Sequence, residues 1–149
     1  MSDVKLVRVY ASEMQALKEY VEALYQQAED FDSCVYIDEG VNSLLKNEAL
    51  AIPYFIVQAQ AKVGYVILTR YHSVEKGGLT IYIDELFVEE KCRRGGIGGK
   101  ILDEITTIAR EQGAKALWAQ VEPFNKEGES FFKHHGFQVN PYINLELPL

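Results

Sequence analysis

The feature that most constrains the fold is a glycine cluster between a strand pattern and a helix pattern. Four glycines occupy the five positions from 95 to 99. The run 79–88 before them is rich in β-branched and aromatic residues and predicts a strand. From about 98 to 112, apolar residues recur at helical spacing. Glycines let the backbone approach a ligand, and the first amides of a helix carry partial positive charge. The junction therefore predicts an anion site, best suited to a phosphate.

Three phosphate-binding patterns can be compared with this junction. A P-loop needs Ser or Thr after its Gly-Lys pair, and Ile101 stands there instead. A dinucleotide fingerprint accepts Gly96 and Gly98, but Ile101 again stands at its third glycine position. The pattern R-x-x-G-x-G is matched in full by Arg93, Gly96 and Gly98.

That third pattern resembles the pyrophosphate-binding motif of the GNAT N-acetyltransferases. The segments 121–125 (VEPFN) and 131–137 (FFKHHGF) look like the "N…A…FY…GF" region of the same family. The likeness is good from about 79 to 137 and weaker from Val4. It implies one α/β domain over 1–149 with the GNAT fold: a mixed central sheet whose splayed strand pair binds acetyl-CoA, flanked by about four helices.

The resemblance also implies an activity. The expected reaction is N-acetylation, with acetyl-CoA as acyl-donor cosubstrate and with no metal. The run 81–86 looks like aminoglycoside and diamine acetyltransferases, so the expected acceptor is a primary amine of a small cationic molecule. Acetylation of a protein lysine or N-terminus is the first alternative, and an acetyl-CoA-binding module without turnover is the second. Relatives are commonly dimers, and the apolar segment 142–149 offers an edge for a homodimer.

The cofactor-binding residues that this resemblance implies lie in three places. Main-chain groups of the strand end are expected to pair with the pantetheine arm, and amides of the glycine loop are expected to hold the pyrophosphate. Asn125 is expected to bond a pantetheine amide, to cap a helix, or both. Phe132 stands where many relatives have a tyrosine that protonates the leaving thiolate, so that group is absent. The full set is Leu86, Phe87, Val88, Arg93, Arg94, Gly95, Gly96, Ile97, Gly98, Gly99, Lys100, Asn125 and Phe132.

Two adjacent carboxylates precede the predicted cofactor strand end. An alkyl amine has a pKa of about 10.4, so freeing its lone pair at pH 7 costs about 4.6 kcal/mol. A carboxylate can accept that proton directly or through water. Strand alternation puts the two side chains on opposite faces, so we expect at most one of them to point at the acetyl group. We favour Glu85 as this catalytic base and place Asp84 second. The alternative is a carboxylate that only binds substrate charge or a neighbouring arginine.

Composition and charge indicate which classes of partner to expect. The net charge of −7 shows no basic excess, so no nucleic acid is expected. No apolar run approaches the roughly 18 residues of a membrane span, and 1–10 lacks the apolar region of a signal peptide, so we expect a cytoplasmic protein that does not bind membranes. Cys34 and Cys92 are expected to be reduced. The acidic run 29–32, with Glu122, is either an attractor for a cationic substrate or a solvated face.

The remaining pattern predicts the other elements. Ser12 and Gln15 have the spacing of a capping box. In chain order we predict a strand over 4–10, a helix from 12 to about 27, a short helix over 41–47, a hairpin of 54–59 and 62–71 that turns near Gln60 and Ala61, a polar loop over 72–78, a strand over 116–121, a helix over 126–135, and one or two closing strands over 137–147.

Overall fold

A computed structural model describes residues 3–27 and 36–149. Within that part the chain is α/β with four helices, as predicted, and it has five strands. Single turns of 3₁₀ helix at Ala11–Glu13 and Glu90–Cys92 complete the order. The elements are β1 (Val4–Arg8), α1 (Met14–Gln26), α2 (Ile37–Leu44), β2 (Ala51–Gln58), β3 (Ala61–Ser73), β4 (Gly78–Val88), α3 (Ile97–Glu111), β5 (Ala116–Ala119) and α4 (Lys126–His134).

The five strands form one mixed sheet in the order β1-β2-β3-β4-β5. The first three pairings are antiparallel, and β4 pairs with β5 in parallel. The predicted hairpin is β2 and β3, joined by Ala59 and Gln60 with φ of 50° and 66°. A parallel pair needs a crossover connection, and α3 supplies it between β4 and β5.

The pairing of β4 with β5 stops halfway along β4. It runs from Thr80 opposite Ala116 to Ile83 opposite Ala119. β4 continues to Val88, paired there with β3 only. The splayed strand pair is therefore confirmed, and it leaves one backbone edge of 84–88 without a strand partner in the described chain.

Helices cover both faces of the sheet. α1 and α2 pack on one face, over a core that includes Leu17, Val21, Phe55, Tyr65 and Phe87. α3 packs on the other face, over a second core whose buried members include Val66, Leu68, Ile81, Ile101 and Ile105. Apolar residues of the central strands are buried on both faces, which explains their nearly continuous apolar runs.

The prediction of closing strands over 137–147 is wrong. Residues 137–149 contain no strand, and Ile143 and Leu145 are 84% and 90% exposed. The alternating pattern is present, but an alternating segment becomes a strand only where a sheet edge receives it. Pro141 interrupts the segment because it has no N–H for a ladder. The Tyr142 amide instead donates to Oδ1 of Asn140 at 3.1 Å.

Several predicted boundaries also differ. No capping box forms at Ser12: α1 begins at Met14, after the 3₁₀ turn and without a side-chain cap. α2 begins at Ile37 rather than at 41, because Ile37 and Val41 lie one helical turn apart and are both buried. The predicted polar loop 72–78 shortens, since β3 extends to Ser73 and β4 starts at Gly78.

Gly64 offers a test of the contact between β3 and β4. A Cβ at Gly64 would collide with the Phe87 carbonyl and lie 3.0 Å from Cα of Val88. Gly64→Ala is therefore expected to destabilise the fold by about 1–3 kcal/mol. Gly40→Ala is the matched control, because no atom lies within 4 Å of its Cβ in α2, and it should stabilise by about 0.5–1 kcal/mol. Urea unfolding of both variants measures the difference, and equal effects would contradict the close approach.

Candidate functional site

The loop between β4 and α3 has an unusual backbone. Arg94, Gly95 and Gly96 have consecutive positive φ values of 76°, 70° and 82°. α3 begins at Ile97, and its N-cap residue Gly96 contributes no side-chain hydrogen bond. The first amides of α3 lack intrahelical partners by geometry. The loop therefore presents a helix start that no N-cap side chain covers, next to the splayed end of β4, and anion binding at this helix start stays a prediction.

The four glycines between 95 and 99 have different surroundings: Gly95 and Gly96 lie in the loop, and Gly98 and Gly99 lie in the first turn of α3. A Cβ at Gly98 would lie 2.7 Å from Cε2 of Phe131, and one at Gly99 would lie 3.2 Å from Nε2 of His135. These two glycines let α4 pack closely against α3. Gly95 and Gly96 have no atom within 4 Å of their Cβ positions, so space is open on their side. The sequence interpretation assigned all four to a ligand, and for Gly98 and Gly99 it missed the packing reason.

Arg93 holds the loop in place. Its Nε donates to the Val88 carbonyl at 2.7 Å, and its guanidinium donates to Oε1 of Gln27 at 3.1 Å. The same group lies 5.5 Å above the ring of Phe87. Arg93 therefore joins the loop to the splayed half of β4 and to the end of α1.

The other predicted cations lie on different sides. Arg94 is exposed in the loop itself. Lys100, in the first turn of α3, lines a separate polar depression with Asp3, Asp103 and Glu104. Of the two, only Arg94 stands within the run of positive φ.

The strand end presents its main chain to the splayed gap. Phe87 is buried in the core under α1, whereas Leu86 and Val88 pack partly against the core under α3. Their backbones pair with β3 on one side only, at Val66, Tyr65 and Gly64. The opposite edge of Leu86, Phe87 and Val88 is the one that faces the gap.

Asn125 and Phe132, the two predicted site residues of this region, lie at the start and in the second half of α4. Asn125 is the N-cap of α4, and its Oδ1 accepts from the Gly128 amide at 2.9 Å. The capping role is thereby confirmed. Phe132 packs edge-on against Phe137, with ring centroids 5.0 Å apart, and joins the core under α3.

A β-bulge changes the expected geometry of the two carboxylates. Ile67 of β3 lies opposite Glu85 and Leu68 opposite Ile83, so Asp84 is an extra residue in β4. A bulge interrupts strand alternation. Asp84 and Glu85 consequently line the same cavity. The expectation that they point to opposite faces is wrong for this reason.

Two tyrosines hold Glu85. Tyr65 donates to Oε1 of Glu85 at 2.9 Å, and Tyr25 of α1 donates to Oε2. Burial is the largest influence and raises the pKa of Glu85, the tyrosine hydrogen bonds oppose that shift, and the Asp84 charge adds to it. Burial also raises the pKa of Asp84, whose carboxylate has no hydrogen bond or ion pair within 3–27 and 36–149. The raised pKa makes Glu85, which is half-buried, a stronger base than a fully solvated carboxylate, and it acts in the same direction on Asp84, whose side chain stays largely exposed.

The cavity beside these carboxylates has a volume of about 330 Å³. Its walls are largely apolar and come from α1, α2 and β3, including Val21, Ile37, Val41, Leu44 and Ile67. The polar groups of its lining are Tyr25, Tyr36, Thr69 and the two carboxylates, of which Tyr25 and Glu85 are hydrogen-bonded to each other. An apolar pocket with a few convergent polar groups is the usual form of a small-molecule site.

Sequence reasoning missed Tyr25 and Tyr65. A signal was present: Tyr65 lies at a core position of the hairpin and is fully buried, and a buried tyrosine hydroxyl needs a partner. The partner could not be chosen from sequence, since Glu85 lies 20 residues away from Tyr65 and 60 from Tyr25.

The structure also bears on the cysteines, on metal-binding groups and on membrane-spanning helices. Cys92 is a free thiol, whereas Cys34 and the acidic run 29–32 lie outside the described residues. Across 3–27 and 36–149, no group of three or more His, Cys, Asp or Glu side chains is placed to hold a metal. In the same part of the chain, no helix is both long and apolar enough to cross a membrane.

Comparison with known proteins identifies a family. The sequence model of the Acetyltransferase (GNAT) family matches residues 12–137. A thialysine N-epsilon-acetyltransferase of Bos taurus is 31% identical over 81 residues, which are 54% of this chain and 47% of that protein. The chain thus spans about half the length of this relative.

Solved structures agree on the fold. A possible acetyltransferase from Clostridium difficile 630 superposes with a TM-score of 0.83 at 16% identity, covering 98% of this chain and 97% of that one. A predicted acetyltransferase from Clostridium acetobutylicum, solved with acetyl-CoA, has a TM-score of 0.78 at 15% identity, with 98% and 96% covered. At these identities the likeness establishes the architecture.

The raised pKa of Glu85 predicts a pH-dependent stability. Because the folded pKa lies above the ordinary value of 4.5, the protonated form is favoured in the folded state. The contribution of Glu85 to stability is full below that value and is lost as the pH rises through the folded pKa. Glu85→Gln removes this dependence and leaves Asp84 in place.

We therefore expect the parent to lose stability relative to Glu85→Gln as the pH rises from below 4.5 to neutrality. Urea unfolding of both proteins across that range measures the difference. A gap that stays constant, or that moves in favour of the parent, would contradict the raised pKa.

Proposed function

This chain belongs to the Acetyltransferase (GNAT) family, and on that premise we propose that it transfers the acetyl group of acetyl-CoA to a primary amine of a small cationic molecule. The observation that carries the proposal is the bulge at Asp84. It brings two carboxylates into one cavity, immediately before the half of β4 that has a free backbone edge. An acceptor site and a thioester site would then meet at the same residues.

The residues present fit acetyl-CoA. The free edge of Leu86, Phe87 and Val88 supports pairing with the amides of a pantetheine arm, and the α3 start supports binding of a pyrophosphate. The Val88 carbonyl already accepts from Arg93, and an oxygen with two lone pairs retains one for a further donor. When bound, the cosubstrate supplies the activated acyl group.

The protein's own groups would handle the first of two protons. Glu85, directly or through water, accepts a proton from the substrate ammonium and so frees the lone pair that attacks, with Asp84 as the second candidate. The amine nitrogen then forms a bond to the acyl carbon, the carbon–sulfur bond breaks, and the second proton that the nitrogen loses passes through water to the departing thiolate. Phe132 offers no hydroxyl to the sulfur, and a thiolate with a pKa of about 8.5 is a tolerable leaving group without one.

The acceptor class follows from charge and space. A net charge of −7 and two adjacent carboxylates favour a cation over an anion. The cavity of about 330 Å³ suits a small molecule more than a folded protein surface. The related bovine protein is named for an amine acceptor, thialysine, and this supports an amine here.

Two alternatives make different predictions. An enzyme for protein lysines or N-termini would acetylate peptides in preference to free amines. A binding module without turnover would bind acetyl-CoA and release no free thiol with any amine. A panel of amines and peptides, followed by thiol release, separates the three.

The cosubstrate site is tested best at Gly95. Gly98 is unsuitable, because any side chain there meets Phe131. Gly95 has open space and a φ of 70°, a conformation that Asp and Asn both tolerate. Gly95→Asp places a negative charge beside the pyrophosphate, and Gly95→Asn has the same shape without the charge.

We expect calorimetry to show that Gly95→Asp binds acetyl-CoA about tenfold or more weakly than Gly95→Asn, which is about 1.4 kcal/mol. The added charge should also make binding of the Asp variant more sensitive to salt. Equal affinities of the two variants would remove the pyrophosphate from this loop.

The base is tested by kinetics. Glu85→Gln keeps the shape and removes the proton acceptor, so turnover should fall about 10²- to 10⁴-fold at neutral pH. The loss should shrink at high pH, where the amine deprotonates unaided. Asp84→Asn is the comparison, and a larger loss there would exchange the two roles. A pH-independent loss in both variants would indicate charge binding alone.

A further inference from the structure

Three aromatic rings form a cluster on the sheet face that carries the carboxylates. Tyr71 of β3, Tyr82 of β4 and Trp118 of β5 lie with ring centroids 5.7, 5.4 and 5.1 Å apart in the three pairwise combinations. Tyr71 is 41% exposed, and the other two rings are partly exposed. We call these residues the aromatic trio.

The trio has polar capacity that the described chain does not use. None of its hydroxyl or indole groups forms a hydrogen bond within residues 3–27 and 36–149. Thr80 lies at its floor, since Thr80 is the cross-strand neighbour of Tyr71 and lies two residues before Tyr82. Thr80 is fully buried, and its Oγ1 has no partner among the described residues.

The trio adjoins the acidic cavity through Thr69, although none of its three rings lines the cavity. Tyr82 lies opposite Thr69 across β3 and β4, and cross-strand partners share one face. Thr69 lines the cavity together with Asp84 and Glu85. From Tyr82 to Asp84 the strand advances two residues, about 7 Å. A molecule held by the carboxylates can therefore reach the rings without leaving the sheet surface.

No lysine or arginine of the described chain stacks on a ring of the trio. The two cation–ring contacts seen within 3–27 and 36–149 join Lys62 to Phe55 and Arg93 to Phe87, and neither involves the trio. Clustered aromatic faces attract ammonium groups electrostatically. The neighbouring carboxylates add to a negative local potential.

We propose that the aromatic trio is a second cation subsite, which binds the distal ammonium of a diamine acceptor while the other amine reacts. The inference rests on the proposed function, because the carboxylates define the reacting end. The two groups differ in what they need: the reacting ammonium must lose a proton to a carboxylate, and the distal one must keep its charge. Rings suit the distal group because they bind a cation without accepting its proton. Tyr82 and Asp84 stand about 7 Å apart along the strand backbone, a spacing comparable to the length of 1,4-diaminobutane, and this diamine is therefore the probe.

The subsite can be detected without turnover. Trp118 is the only tryptophan of the chain, so intrinsic fluorescence reports on the trio itself. We expect 1,4-diaminobutane to change the Trp118 emission in a saturable, salt-sensitive titration. Butylamine, which has the same chain and one amine, should cause no saturable change over the same concentrations. Identical titrations by the two amines would overturn the proposal.

Kinetics provide the second measurement. In the parent, kcat/KM should be higher for 1,4-diaminobutane than for butylamine. Tyr71→Leu keeps an apolar side chain and removes the ring, and it should lower kcat/KM for the diamine about three- to tenfold while leaving the butylamine value unchanged. Tyr10→Leu is the control, because Tyr10 is 63% exposed and lies outside the cavity and the trio.

The outcomes separate the two proposals. An equal loss for both amines in Tyr71→Leu, or no loss for either, would overturn the subsite and leave the transferase intact. An absence of thiol release with both amines in the parent would instead overturn the proposed function. The fluorescence titration would in that case still decide whether the trio binds a diamine.

Discussion

Strand β4 contains one residue, Asp84, that has no partner in β3. The pairing of β4 with β5 ends at the preceding residue, Ile83. The single extra residue has two effects. It turns Asp84 and Glu85 toward one cavity, and it accompanies the loss of pairing that frees a backbone edge at 84–88. A regular strand would offer neither, because alternation would separate the carboxylates and continued pairing would close the gap.

The helix α1 keeps this distorted strand in position. Tyr25 donates to Glu85, Tyr20 donates to Glu89 at 2.7 Å, and Gln27 accepts from Arg93. Each contact joins α1 to the second half of β4 or to the loop that follows it. These side-chain contacts from α1 hold the part of β4 that has no pairing with β5. The same helix forms one wall of the cavity. The cavity and the glycine loop are parts of one connected framework.

Sequence alone predicted the parts of this framework that depend on local patterns. The glycine loop, α3, the β2–β3 hairpin and the Asn125 cap follow from spacing and turn chemistry, and the family resemblance supplied the splayed strands. The bulge could not be predicted, since an extra residue is defined only against the partner strand. The closing strands failed for a related reason: 137–147 has the right alternation, and its pairing depends on an edge that no local pattern describes.

The close packing at Gly98 affects how mutations in this motif are to be interpreted. Its lack of a side chain is required by the ring of Phe131, 2.7 Å from where a Cβ would stand, whether or not a ligand is ever present. A mutational scan scored by growth or yield would find position 98 intolerant, and this intolerance would carry no information about nucleotides. Gly95 is under no such packing demand. Within one short motif, position 98 therefore reports on the packing of α3 against α4. Position 95, where the positive φ is the restriction and space is open, is the one whose tolerance of Asp against Asn would reveal a bound phosphate.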